Sequence, residues 1–200
     1  MKRRTIIAGL LGMAMLPGIG HAQSCGNDSI YKIPYKDTYV KQALVAENEF
    51  RVQQPKYVIL PTFAEAKEIL PKPIWAGHEE EINMYWRAWE IGVGNLRNPQ
   101  PGSGFIMPYI DTAYNGNIFM WDSSFILMFA RYGARFFPFQ NTLDNFYAKQ
   151  HPDGFICREI KADGADCFER YDPVSTGPNL IPWCEMVYFH QFGDMERLHK

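Results

Sequence analysis

The spacing of apolar positions changes several times along the chain, and each change marks an expected element. Residues 38–60 have no dominant period; 41–48 suit a short helix, and 56–60 suit a strand ending at Pro61. Phe63, Ala66, Ile69 and Leu70 then follow helical spacing. Thr62 and Glu65 form a capping-box pattern ahead of them, and Pro71 and Pro73 stop the helix. The clearest helix follows. Glu79, Glu80 and Glu81 occupy its first turn, where the helix dipole favours negative charge. Ile82, Tyr85, Trp86, Trp89 and Val93 repeat on one face.

Residues 95–104 are rich in Pro, Gly and Asn and read as a loop. Residues 121–135 read as a helix in which Phe125 to Phe129 are consecutive apolar positions. A helix apolar on every face is expected to be buried among other elements. Pro138 opens a helix carrying Leu143, Phe146 and Tyr147 on one face, and Asp153-Gly154 is a turn. Residues 163–178 read mostly as loop. Pro182 to Phe192 is an aromatic helix ended by Gly193, and Asp194 starts another. Helices predominate and strand signals are few, so the expected fold class is all-α, built of paired helices.

The first residues read as an address rather than as structure. Lys2, Arg3 and Arg4 precede a short apolar run, and Gly20-His21-Ala22 offers small residues for cleavage before Gln23. The run is too short for a bilayer, which needs about 20 apolar residues. Residues 1–22 are therefore expected to be a signal peptide on an exported chain, periplasmic or secreted. No membrane span is expected. Arg3-Arg4 fits a twin-arginine signal loosely, and Ala22-Gln23-Ser24 is a poor match to a lipid-attachment site at Cys25.

The chain carries 20 Lys+Arg against 22 Asp+Glu. Loss of the signal removes basic residues only, so no basic stripe survives and nucleic acid is not an expected partner. The four cysteines form no C-x-x-C; Cys157 and Cys167, flanking one loop, are the pair expected to oxidise in an exporting compartment. The histidines make no H-E-x-x-H, so neither a metal site nor a cofactor is expected.

Aromatic residues make up 15% of the chain, enough for a large core, a sugar-binding cleft, or both. Three stretches suit such a cleft. In Trp121-Asp122-Ser123-Ser124-Phe125, an indole face can stack on a pyranose and a carboxylate can accept hydrogen bonds from neighbouring hydroxyls. Asp122 is equally suited to N-cap the helix, and Trp121 to sit in the core. Gln150 to Glu159 contains the adjacent charges Arg158 and Glu159. In an extended segment these point opposite ways, so one is free to face a cleft while the other is paired or solvated. Ser175 to Glu185 is a loop with Pro178 and Asn179 that enters the aromatic helix at Trp183; an ordinary helix start with Trp183 in the core fits it as well.

These blocks, in this order, resemble the inverting (α/α)-barrel glycosidases, most closely glycoside hydrolase family 63, the processing α-glucosidases and their bacterial relatives. The resemblance covers roughly residue 82 onward. It implies a partial (α/α)6 toroid of the six-hairpin glycosidase type over residues 78–200, behind a lead-in segment over 23–77. It implies a carbohydrate substrate bound by Trp121, Asp122, Phe125, Gln150, Arg158, Glu159, Asn179 and Trp183. It also implies inversion by two carboxylates about 6.5–9.5 Å apart. The family's loop commonly reads Asn-Pro-Pro where this chain has Gly177-Pro178-Asn179. Its general acid and base belong to motifs expected downstream of Lys200, so the chain is expected to be the N-terminal portion of a longer toroid. Two alternatives carry different chemistry. One is a noncatalytic carbohydrate-binding protein. The other is a polysaccharide lyase on a similar toroid, for which Tyr109, Tyr114, His151 and Arg158 supply residue types but no signature spacing.

Overall fold

The computed structural model describes residues 43–111, 115–169 and 179–199, all within one compact unit. The expected signal peptide over residues 1–22, Cys25, Tyr114 and the loop around Pro178 lie outside the described residues.

The fold is mostly α. Helix α1 (Ala43–Ala46) and a 3-10 turn (Glu49–Val52) come first. Residues 56–60 do not form a strand. They run extended, and Asn98 takes the place of a partner strand: its Oδ1 accepts from Val58 N–H and its Nδ2 donates to Val58 C=O. Helix α2 (Phe63–Ile69) starts on the expected capping box, with Thr62 Oγ accepting from Glu65 N–H and Glu65 accepting in return from Thr62 N–H. Helix α3 (Glu79–Gly94) buries Trp89, Gly92 and Val93.

Sequence periodicity missed the strands because each is two residues long. Strand β1 (Leu96–Arg97) opens the expected 95–104 loop and pairs antiparallel with β2 (Tyr109–Ile110). Strand β3 (Ile118–Phe119) pairs antiparallel with β4 (Glu159–Ile160), with Ile118 opposite Ile160. This second pairing matters most for the site. It holds the start of helix α4 (Met120–Ala130) beside residues 150–158, reinforced by Met120 N–H donating to Arg158 C=O. Beyond β4 the chain turns back through Gly164, whose φ is +87°. A Cβ there would fall 1.7 Å from Ser103 O, so the turn is pressed against the 103 loop where only glycine fits.

Helix α4 departs from expectation in two ways. It is shorter, giving way to a 3-10 turn over Arg131–Gly133. It is also not buried all round: Trp121, Phe125 and Phe129, spaced four apart, form an exposed stripe. The side adjoining the stripe packs on α6 (Ile181–Phe192), where the backbone carbonyl of buried Ser124 meets the thiol of buried Cys184. After Pro138 the chain makes a 3-10 turn (Phe139–Asn141) before α5 (Thr142–Ala148). Gly193, at φ 67°, closes α6 as a left-handed cap, and α7 (Met195–Leu198) follows with Asp194 as its N-cap.

Cys157 and Cys167 do not form the expected disulfide. Cys157 is a buried thiol, and its Sγ donates toward the carbonyls of Glu159 and Phe168. No helix among the described residues is long and apolar enough to cross a membrane.

Candidate functional site

A cleft of about 410 Å³ opens where four segments converge: the start of α4, the end of α5, the loop over 150–158, and the start of α6. That volume falls in the range of roughly 300–1,000 Å³ typical of small-molecule sites. Met120, Tyr147, Phe155, Ile156 and Ile181 supply its apolar walls. Gln150, Arg158 and Asn179 supply polar groups.

Arg158 is the one charged residue lining the cleft among the described residues. Its guanidinium stands over the Phe168 ring, 3.7 Å from the centroid, a stacking that fixes the plane of the group. Glu159, the next residue, points the other way and accepts a hydrogen bond from Asn117 Nδ2 at 2.8 Å. It braces the β3–β4 pairing from behind instead of lining the cleft.

The aromatic members of the expected site lie outside the cleft lining. Trp121 and Phe125 stand 5.4 Å apart by ring centroid, and Phe125 meets Trp183 edge-on at 5.9 Å. These three rings are 48%, 46% and 45% exposed, so they form a surface patch beside the cleft. Asp122 is exposed on the same turn. It is not the N-cap of α4, a position held by Phe119, but sits in the first turn, where the helix dipole favours a carboxylate. The eight expected residues therefore divide. Gln150, Arg158 and Asn179 meet in the cleft; Trp121, Asp122, Phe125 and Trp183 flank it; Glu159 stands behind it.

Of the residues suited to a lyase, Tyr109 is buried in the core against Phe105. His151 is engaged by Asp166, Nε2 to Oδ2 at 2.6 Å, which ties the 150–158 loop to the turn beyond β4. Neither lines the cleft.

Behind the cleft floor lies a second, smaller cavity of about 290 Å³ that shares Tyr147 and Gln150 with it. Its polar wall is an ion-pair network. Arg197 grips Glu185 with two hydrogen bonds, Nε to Oε2 at 2.8 Å and Nη2 to Oε1 at 2.6 Å, and its Nη1 lies 3.0 Å from Asp144 Oδ1. Tyr147 and Gln140 also donate to Glu185. Burial alone would lower the Arg197 guanidinium, but the Glu185 hydrogen bonds and the Asp144 and Glu185 charges outweigh it and hold the group firmly protonated. Burial, then the Glu185 charge, pushes the Tyr147 phenol well above the ordinary tyrosine range, so it is a fixed donor. Nothing in the sequence marks this network, because Asp144, Glu185 and Arg197 lie on three different helices. Tyr147 reads from periodicity as an ordinary core aromatic.

Among the described residues, no group of three or more His, Cys, Asp or Glu side chains is placed to hold a metal ion. No known protein family, curated protein or solved structure matches this chain.

Proposed function

We propose that this chain is the sugar-binding part of an exported glycoside hydrolase, of the inverting kind that the sequence resembles, with its helices forming part of an (α/α)6 toroid. The observation that carries this is the convergence of Gln150, Arg158 and Asn179 in one cleft flanked by Trp121, Phe125 and Trp183. Planar donors and acceptors with exposed rings beside them suit a ligand that is polar at its edge and apolar on its face, as a pyranose is. Asp122, exposed at the mouth of the cleft, is the carboxylate best placed to accept from sugar hydroxyls. The proposed chemistry needs carboxylates and water and no cofactor.

The test is sugar release by the natural secreted product across a panel of α-linked glycosides, compared with its Asp122→Asn variant. Loss of turnover with an unchanged melting temperature is expected for the variant. A wild-type product that releases no sugar from any member would overturn the hydrolase proposal, and near-wild-type turnover by Asp122→Asn would remove Asp122 from the subsite. N-terminal sequencing of that product checks export, with Gln23 the expected first residue.

One observation favours a second proposal, binding without catalysis. Among the described residues the cleft lining contains no carboxylate, so neither the acid nor the base of an inverting pair stands there. Saturable glycan binding with no release of sugar would select it.

A further inference from the structure

Asn48 lies between α1 and the 3-10 turn at Glu49–Val52, about 100 positions from Gln150 in sequence, and the structure brings it to the back of Gln150. Its amide orientation is fixed by two backbone groups of invariant polarity. Phe50 N–H can only donate, and it donates to Asn48 Oδ1 at 3.0 Å. Tyr147 C=O can only accept, and it accepts from Asn48 Nδ2 at 3.0 Å. With oxygen and nitrogen so assigned, the second Nδ2 proton goes to Gln150 Oε1 at 2.8 Å. That forces the Gln150 oxygen toward Asn48 and its nitrogen toward Gly154 C=O, 3.3 Å away. Phe50 packs on the Tyr147 ring with centroids 5.1 Å apart, so the segment carrying Asn48 is anchored where it acts.

We infer that Asn48 is a positioning residue that sets the hydrogen-bond polarity of Gln150 in the cleft. A primary amide has two N–H donors and one oxygen. Gly154 takes one donor and Asn48 takes one of the oxygen's two lone pairs, holding that oxygen toward Asn48, so the remaining N–H is the donor that Gln150 offers a ligand. Gln150 then recognises an acceptor atom, such as a hydroxyl or ring oxygen, next to the donors of Arg158. The polarity relay itself stands on geometry alone; only the sugar as ligand rests on the proposal above.

The test uses the Gln150 side-chain amide signals of the full chain by NMR, with maltose as the probe for binding. Asn48→Asp keeps the acceptor for Phe50 N–H but cannot donate to Tyr147 or Gln150; Asn48→Ala removes both roles. In both variants the Gln150 amide signals are expected to shift and their protons to exchange faster. Maltose affinity is expected to fall about fivefold to tenfold, the scale of one neutral hydrogen bond. With Gln150→Ala already present, Asn48→Asp is expected to cause no further loss of affinity. Unchanged Gln150 signals in both variants would overturn the inference, as would an equal loss of affinity in the Gln150→Ala background, which marks a merely structural role. The amide signals decide the relay whether or not maltose binds, and a wild-type chain that ignores maltose counts against the carbohydrate proposal instead.

Discussion

Helices α5 and α4 pack against each other and treat polarity in opposite ways. Helix α5 buries Thr142, Asp144 and Asn145, while α4 leaves Trp121, Phe125 and Phe129 in the open. The polar residues of α5 are buried because each meets backbone or charge that needs it. Asn145 Oδ1 accepts from Ile106 and Met107 N–H at 2.8 and 3.0 Å, and its Nδ2 donates to Met107 C=O. Thr142 Oγ accepts from Ile110 N–H. The N–H groups of the segment leading into β2 are thus satisfied by α5 side chains, while Ile106 C=O accepts from Lys56 N–H. On α4 the start of the aromatic stripe has no such partner: Trp121 and Phe125 touch each other and Trp183, while Phe129 at its far end meets Trp89 edge-on at 5.3 Å. Burial follows unsatisfied partners as much as hydropathy, so a polar seam can be core and an aromatic run can be surface.

The largest test of this contrast is Arg197→Met. It leaves Glu185 and Asp144 buried without their cation and is expected to cost about 3–5 kcal/mol in chemical denaturation. Adding Glu185→Gln to the variant is expected to recover part of that, since it removes one stranded charge. Asn145→Ala comes next, at about 3 kcal/mol, because three buried backbone groups lose their partner. A loss under about 1 kcal/mol would mean that water replaces the amide and the seam is not dry.

Alkaline titration sharpens the same seam. Burial, then the Asp111 charge, pushes the Tyr109 phenol up to about 12, with Arg97 opposing. The folded value lies above the unfolded one, so this contribution is fully present below pH ~10 and is lost as pH rises toward 12. Roughly 2 kcal/mol should disappear over that window. Phenolate absorbance during the melt checks it, with Tyr109 ionising later than the exposed tyrosines. The smallest stability effect belongs to the other region. Trp121→Ala and Phe125→Ala should each cost under about 1 kcal/mol while weakening glycan binding. A loss as large as that of Asn145→Ala would break the comparison, because it would mean the stripe is covered in solution.

What was legible in the sequence was local. The Thr62–Glu65 box, the proline stop after α2, the Trp89 face of α3 and the Gly193 cap all follow from residues within a few positions of one another. The opposed directions of Arg158 and Glu159 were also readable, since strand alternation is a local rule. The β3–β4 pairing was not, because it joins two dipeptides 41 positions apart and has no period. The exposed side of α4 was not readable because a run apolar on every face has no direction in it. For the site, the resemblance pointed to Gln150, Arg158 and Asn179, which do share a cleft. The same reasoning overlooked Tyr147 and Asn48, whose roles come from contacts made across the chain. Asn48 sits in a stretch whose pattern carried no dominant period at all.

The two buried thiols among the described residues give the molecule a pair of internal clocks. Cys157 lies under the β3–β4 pairing and Cys184 in the seam between α4 and α6; burial pushes both thiols up, Cys184 to about 11. An alkylating reagent at neutral pH meets neither until its region opens, whereas the partly exposed Cys167 reacts from the start and calibrates the reagent. Peptide mass analysis of a labelling time course would therefore time the opening of the cleft's two supporting walls separately, in one unmodified chain.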